Sequence, residues 1–244
     1  MFMRLLSLFG SLFLLNGCSH SLRFRASHFA VPVTGEQPWN GHIAVAGTPT
    51  TKVTVVDNIS SNPPDRSEVK INDALDVTEV LLVGYVGVDA SLSVLRSVDV
   101  FVDSNLFGLR WQFLNHDAKA DAWVSAVHAS YGEMKSTTSN NADEAVSKIK
   151  TSQGGLSVGY KFAAFVPYVS YIYETHDVST EVTNSLGAFG PYDDKGTHQY
   201  VSVGLSSYRR GLMGAIEYSL IDINWDRAKN EKQNSVAAKL GFAW

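Results

Sequence analysis

The last ten residues of the chain place the tightest constraint on its fold. From Ser235 to Trp244, apolar side chains alternate with polar or small ones without interruption. Because successive side chains of a strand point to opposite faces, one face would carry only apolar groups and the other Lys239 among small residues. A strand that ends on an exposed aromatic suits the boundary between lipid and water. The pattern therefore predicts a strand with lipid on one side and a polar interior on the other.

A second segment predicts a hairpin of the same kind. Valines alternate with Asp99, Phe101 and Asp103, a tight turn follows at Ser104, and the returning segment alternates apolar residues with Arg110 and Gln112. This register places Asp99 opposite Arg110, where the two charges would neutralise each other inside a barrel. If the last hairpin is symmetric, Glu217 lies beside Lys239, and we expect a second ion pair in the lumen.

Alternation over the rest of the chain predicts about ten strands. Pro49 interrupts the first, which then becomes two shorter strands; eight or twelve strands follow if this region or the Ser104 hairpin folds otherwise. Polar residues 133–153 and 175–197 show no apolar period and are interpreted as external loops. The predicted strands are residues 42–57, 78–89, 97–103, 107–113, 120–132, 156–162, 165–174, 201–205, 212–220 and 235–244.

These features together resemble bacterial outer-membrane β-barrel proteins, whose final strand ends in an aromatic residue. The resemblance implies an all-β fold, a single closed antiparallel transmembrane barrel over residues 41–244. It also implies outer-membrane lipid as its surroundings and the barrel-assembly machinery as a partner during biogenesis. The mean hydropathy of −0.04 does not fit a bundle of membrane helices, and a spanning sheet must close because open edges cannot be satisfied in lipid.

The first residues are interpreted as a secretion signal. Residues 1–17 combine a basic start with a short apolar run, and Leu15-Asn16-Gly17-Cys18 resembles a bacterial lipoprotein box. The resemblance implies lipid attachment at Cys18, with ordinary signal cleavage as the alternative. Residues 18–40 would then form a lipid-anchored periplasmic tether, on the same side of the outer membrane as Trp244.

Composition excludes several classes of protein and site. Cys18 is the single cysteine, so an intramolecular disulfide and a cysteine-based metal cluster are excluded. The net charge of −4 and the lack of clustered basic residues argue against nucleic-acid binding. The chain has no phosphate-binding loop or zinc spacing, and we expect no cofactor or metal. Asp177, Asp193 and Asp194 could hold calcium, although charged external loops are usually only solvated.

The predicted function is that of a non-enzymatic structural envelope protein or a narrow, porin-like pore. The alternative is a lipid-modifying hydrolase, because His128-Ala129-Ser130 resembles the His-x-Ser spacing of outer-membrane lipid A deacylases. In that interpretation the orienting acid would be Glu133, Asp143 or Glu144. A third interpretation is a surface binding module that uses the loops around Asn140 and Gly187.

Overall fold

The computed structural model describes residues 18–67, 69–72, 85–117, 120–140, 142–207 and 210–244. All regular secondary structure within these ranges is β-strand. The thirteen strands are β1 His20–Arg25, β2 Gly41–Thr48, β3 Thr50–Val56, β4 Lys70–Asn72, β5 Tyr85–Leu95, β6 Val98–Asp103, β7 Leu106–Leu114, β8 Ala122–Asn140, β9 Asp143–Lys161, β10 Phe165–Asn184, β11 Gly187–Ser207, β12 Gly211–Trp225 and β13 Glu231–Ala243.

Ten of these strands form one antiparallel sheet. Strands β5 to β13 pair in chain order, and β2 pairs with both β13 and β5. The order of pairing therefore returns to its starting strand, and the sheet is a closed barrel. The predicted number of ten strands is confirmed within the described residues. Residues 78–84 of one predicted strand lie outside them.

The two faces of the sheet differ in the way that the alternation predicts. In the part of the barrel nearer Trp244, the outward side chains are apolar and exposed, whereas the inward ones are polar and buried. Outward residues include Val88, Leu109, Trp111, Val158, Val169, Val203, Ile216 and Leu240. Inward residues include Asp99, Gln112, Ser157, Ser170, Glu217 and Lys239.

The predicted external loops are wrong, because residues 133–153 and 175–197 continue the strands. Strands β8 and β9 pair up to Asn140 and Asp143, and β10 and β11 pair up to Asn184 and Gly187. In this extension the pattern is inverted: Lys148 and Lys150 are exposed, while the intervening Ile149 is buried. An apolar period is thus present, but it points inward. We call these parts of β8–β11 the extension.

Strands β1, β3 and β4 form a separate small sheet. The chain leaves the barrel after Thr48, and Pro49 separates β2 from β3, which agrees with two short strands rather than one. Val53 and Val55 of β3 are fully buried and pack with Leu22 and Phe24 of β1. Their cluster includes Ile149, Ile172, Val178 and Ile223 from the barrel wall. The small sheet is therefore the apolar filling of the extension.

The segment predicted to be a polar tether is instead packed inside the barrel. Residues 20–34 are largely buried, and Leu22 has no exposed surface. Cys18 lies at the hairpin end of the extension, where its carbonyl accepts a hydrogen bond from Ile59 N at 3.0 Å. Trp244 lies at the other end, since its backbone pairs with Gly41. The expectation that Cys18 and Trp244 share one end of the barrel is wrong.

Candidate functional site

The interior of the barrel near Trp244 is the candidate site, and Asp99 and Arg110 are its first pair. They stand opposite each other in the β6–β7 register, and Arg110 Nη2 lies 2.9 Å from Asp99 Oδ2. This is the arrangement that the sequence predicts for the hairpin. The pair also binds the segment in the lumen, because Arg110 Nη1 donates to the carbonyl of Val31 at 3.2 Å and Gly35 N donates to Asp99 Oδ1 at 3.2 Å.

The second predicted ion pair, Glu217 with Lys239, is replaced by another. The register places Glu217 opposite Ala237 and Lys239 opposite Ala215, so the last hairpin is offset from the expected symmetric one. Lys239 Nζ instead lies 3.3 Å from Asp89 Oδ1 on β5. Asp89 also contacts His42 Nε2 at 2.5 Å. The lysine is thus neutralised across the β13–β2–β5 seam rather than within its own hairpin.

Glu217 serves as the main acceptor for the lumen segment. Its Oε1 accepts hydrogen bonds from Ser27 Oγ at 2.5 Å and from the backbone nitrogens of His28 at 3.3 Å and Phe29 at 3.2 Å. Its Oε2 accepts from Tyr168 Oη at 2.7 Å. Glu217 is only 2% exposed. These donors therefore replace the water molecules that the carboxylate loses when it is buried.

Further contacts attach the segment to the wall on both sides of Glu217. The Arg25 guanidinium forms a salt bridge with Asp103, and Tyr200 Oη lies 3.0 Å from the Arg25 carbonyl oxygen. Towards Trp244, Thr34 N donates to Gln112 Oε1 at 2.9 Å. We call residues 18–40 the lumen segment; these bonds hold it along the length of the barrel.

Three buried side chains on β10 and β11 have the composition of a metal site. Single ligand atoms of Glu174, His176 and His198 lie within 4.8 Å of one another. However, Trp225 Nε1 lies 3.1 Å from His198 Nε2, and an indole nitrogen can only donate. His198 Nε2 must therefore be an acceptor, which leaves the hydrogen on Nδ1, the atom that would bind the metal.

A chain of hydrogen bonds explains this cluster without a metal. His198 Nδ1 lies 3.2 Å from Tyr200 Oη and 3.3 Å from His176 Nε2, and His176 Nδ1 lies 3.0 Å from Thr151 Oγ1. The Glu174 carboxylate accepts from Tyr200 Oη at 2.8 Å. Each of these polar groups thus has a protein partner, and the arrangement is that of a hydrogen-bonded layer beneath the apolar filling.

The hydrolase candidates His128 and Ser130 both face the lumen. Ser130 Oγ donates to Gln153 Oε1 at 3.0 Å, whereas the His128 ring packs edge-on against Phe101. The possible orienting acids lie elsewhere: Glu133 and Glu144 are exposed, and Asp143 accepts from Ser185 N at the hairpin end. The structure therefore does not bring these residues together as a catalytic triad.

The aspartates considered for calcium are also separated. Asp194 points inward and binds Arg66 at 2.7 Å and Arg227 at 2.5 Å. Asp177 and Asp193 point outward and are exposed. Two guanidinium groups on the one buried carboxylate leave it neutralised, so these residues do not form an oxygen-rich cation site.

Little space remains in the lumen. A cavity of about 460 Å³ opens at the Trp244 end and is lined by Glu36, His42, Arg110, Lys239 and Trp244. Deeper in the barrel, a cavity beside His128 and one beside His176 measure about 30 Å³ each. A volume of this size holds about one water molecule. In the described residues, the open part of the lumen is thus a vestibule at the Trp244 end, and it stops at the lumen segment.

Sequence reasoning missed the lumen segment as a functional element. A signal was present, because residues 22–33 carry Leu22, Phe24, Phe29, Val31 and Val33. A solvated connector does not need so many large apolar side chains. These residues are now seen to pack against the inner wall, for example Val31 with Val124 and Val166.

Comparison with known proteins gives no family for this chain. No protein-family model matches it, and a search of curated proteins found no match. The described part of the chain contains no helix with the length and apolar character needed to cross a membrane.

Proposed function

We propose that this protein is a non-enzymatic outer-membrane β-barrel that serves as a structural envelope protein and whose pore is closed by its own lumen segment. The observation that carries the proposal is a continuous belt of exposed apolar side chains on a closed sheet with a polar interior. A water-soluble barrel buries its apolar side chains inside, and exposed apolar patches of this extent mark contact with another apolar phase.

The belt has the height of a membrane. On β10 the outward residues Phe165, Val169, Tyr171 and Tyr173 are more than 40% exposed, and the next outward residues, Thr175 and Asp177, are polar. The apolar part of the strand is thus about nine residues long, which is the length that a tilted strand needs to cross the hydrocarbon core.

Neighbouring strands change polarity at the same level. Tyr173 pairs with Gln199, and Tyr171 pairs with Val201. Val201 in turn pairs with Leu220, the last outward apolar residue of β12. The change of polarity thus follows the register across β10, β11 and β12, which supports a belt edge on these strands rather than scattered surface residues.

Aromatic side chains border the belt on both sides. Trp111, Trp123, Phe162, Phe165 and Trp244 lie outward near the Trp244 end of the barrel, and Tyr131, Tyr171, Tyr173 and Tyr218 lie outward near the extension. Girdles of aromatic residues at both interfaces are typical of transmembrane barrels. They support the position of the membrane between the two sets.

Fluorescence quenching by brominated lipid tails tests the proposal. The chain has five tryptophans, and two of them differ in both facing and level: Trp123, near the Trp244 end of β8, is 60% exposed outward, whereas Trp225, at the level of the extension, is buried at 2%. In vesicles, a variant that retains only Trp123 should be strongly quenched, and one that retains only Trp225 should not. Equal weak quenching of both would show that the belt does not contact lipid.

Planar-bilayer recording of the same refolded protein tests the closed pore. We expect no current steps from the wild-type chain, because the lumen segment fills the barrel beyond the vestibule. Regular steps would indicate the narrow pore instead, and would show that the segment leaves the lumen in the membrane.

A further inference from the structure

We infer that residues 18–40 are threaded through the barrel from the cell exterior to the periplasm, so that Cys18, with any lipid that it carries, is displayed on the outer face. The inference rests on the proposed function, because exterior and periplasm have meaning only for a barrel in the outer membrane. It reverses the expected periplasmic tether.

The contacts of the lumen segment follow one direction along the wall. His20 lies near the hairpin ends, where its ring nitrogens are 2.8 Å from Thr138 Oγ1 and from Ser147 Oγ. Ser27 reaches Glu217 in the middle of β12. Thr34 reaches Gln112, close to the end of β7 at Leu114. Chain order and wall order agree at every step.

The exit of the segment is at the Trp244 end of the barrel. Trp39 N donates to the Ser93 carbonyl at 2.8 Å, two residues before the end of β5, and Gly41 then begins β2 beside Trp244. The segment therefore crosses the full height of the proposed membrane before the first barrel strand starts. The chain returns through the membrane as β2.

The length of chain that projects beyond the apolar belt sets the orientation, because the turns themselves are short at both ends: residues 162–164 join β9 and β10 at the Trp244 end, and residues 185–186 join β10 and β11 at the other. At that other end β8 continues eight residues beyond Gly132, the residue that pairs with Leu106 at the start of β7. This extension measures about 26 Å along the strand. Bacterial outer-membrane barrels have short periplasmic turns and longer exterior connections, so the extension and Cys18 lie outside.

The position of Cys18 agrees with this placement. It is partly buried against the apolar cluster inside the extension, and its bonding partner Ile59 accepts from Asn184 Nδ2 at 3.2 Å, at the end of β10. Through Ile59 and Asn184, Cys18 is thus held at the hairpin end of the extension. A lipid on Cys18 would therefore start on the outer side of the proposed membrane, not on the periplasmic side.

Single-cysteine labelling tests the threading, since Cys18 is the only native cysteine. In a Cys18→Ser background with a conventional cleavable signal, three exposed positions are compared: Ser19→Cys at the start of the segment, Ser185→Cys at the β10–β11 turn and Ala163→Cys at the β9–β10 turn. A membrane-impermeant maleimide is added to intact cells and to cells with a permeabilised outer membrane.

We expect Ser19→Cys and Ser185→Cys to react to a similar extent on intact cells, and Ala163→Cys only after permeabilisation. If Ser185→Cys reacts on intact cells but Ser19→Cys behaves like Ala163→Cys, the threading is wrong while the membrane barrel stands. If Ser185→Cys is also silent on intact cells, the proposed membrane location fails and the threading with it.

Discussion

The contact between Glu217 and the lumen segment makes the most direct prediction. Replacing the carboxylate by an amide, Glu217→Gln, preserves shape but leaves one acceptor oxygen and adds two donor hydrogens. The groups that face this side chain are Ser27 Oγ, Ser219 Oγ, Tyr168 Oη and the backbone nitrogens of His28 and Phe29. The two backbone nitrogens can only donate, so the amide oxygen must face them, and the amide NH₂ group then faces Tyr168 Oη, which donates to Glu217 in the wild type.

The size of the effect follows from the number of bonds affected. Hydrogen bonds to a charged group contribute roughly 1.5–3 kcal/mol each, and the amide retains some of them through its oxygen. A net loss of about 3 kcal/mol would raise the fraction of molecules with a detached segment about 100-fold, because roughly 1.4 kcal/mol corresponds to a factor of ten. Tyr168→Phe removes a bond between two wall strands, which is present whether or not the segment is attached, and should therefore change this fraction much less.

Hydrogen exchange in lipid vesicles measures the detached fraction, followed by mass spectrometry of a peptide that covers residues 24–33. The amides of His28 and Phe29 exchange only when they leave Glu217. We expect exchange to be much faster in Glu217→Gln than in the wild type or in Tyr168→Phe. The matched control is Glu181→Gln, a carboxylate on the outer face of the extension, which should leave the rate unchanged. Wild-type exchange rates in Glu217→Gln, with the wall strands still protected, would refute the role assigned to Glu217.

Two further predictions concern pH and the lipid-facing belt. Burial lowers the pKa of His20 from 6.5 to about 4, so between these values the unfolded chain binds a proton that the folded one excludes. The free energy of unfolding should therefore fall by up to about 3 kcal/mol as the pH drops from 6.5 to 4. Urea unfolding of the protein in vesicles measures this dependence. The variant His20→Gln should flatten it, whereas His116→Gln, at an exposed position, should not. On the belt, Val203→Arg should cost about 2–4 kcal/mol in the same assay, whereas Gln199→Arg at its edge should cost about 1 kcal/mol or less; equal costs would contradict the position of the membrane.

The strands of the apolar belt could be predicted because their alternation is imposed on every second residue. A face that is proposed to contact lipid carries only apolar side chains, so Leu109, Val158 and Leu240 identify their faces without knowledge of their partners. The Asp99–Arg110 pairing could also be predicted, because a two-residue turn fixes the register of its hairpin. Both inferences use information within about ten residues of sequence.

The remaining features depend on distant parts of the chain. In the extension, Val178 and Val182 alternate with Asp177 and Glu181, but which face is buried depends on the small sheet inside. The partner of Lys239 is on β5, across β2, and no local pattern specifies that seam. The last hairpin also has a longer connection between Trp225 and Glu231, so its register could not be read from symmetry.

The lumen segment contributes differently to the stability of the barrel wall and of the extension. All ten ladders of the barrel run between β2 and β5–β13, so the hydrogen bonds of the wall within the proposed membrane do not need residues 18–40. The extension differs, because its inward apolar side chains are covered by Leu22 and Phe24 together with β3. Loss of the segment would expose that cluster to water while the belt stays in lipid. Detachment should therefore leave the hydrogen bonds of the wall intact, and the apolar contacts of β1 in the extension, together with the bonds to Glu217, should be what keeps the segment in place.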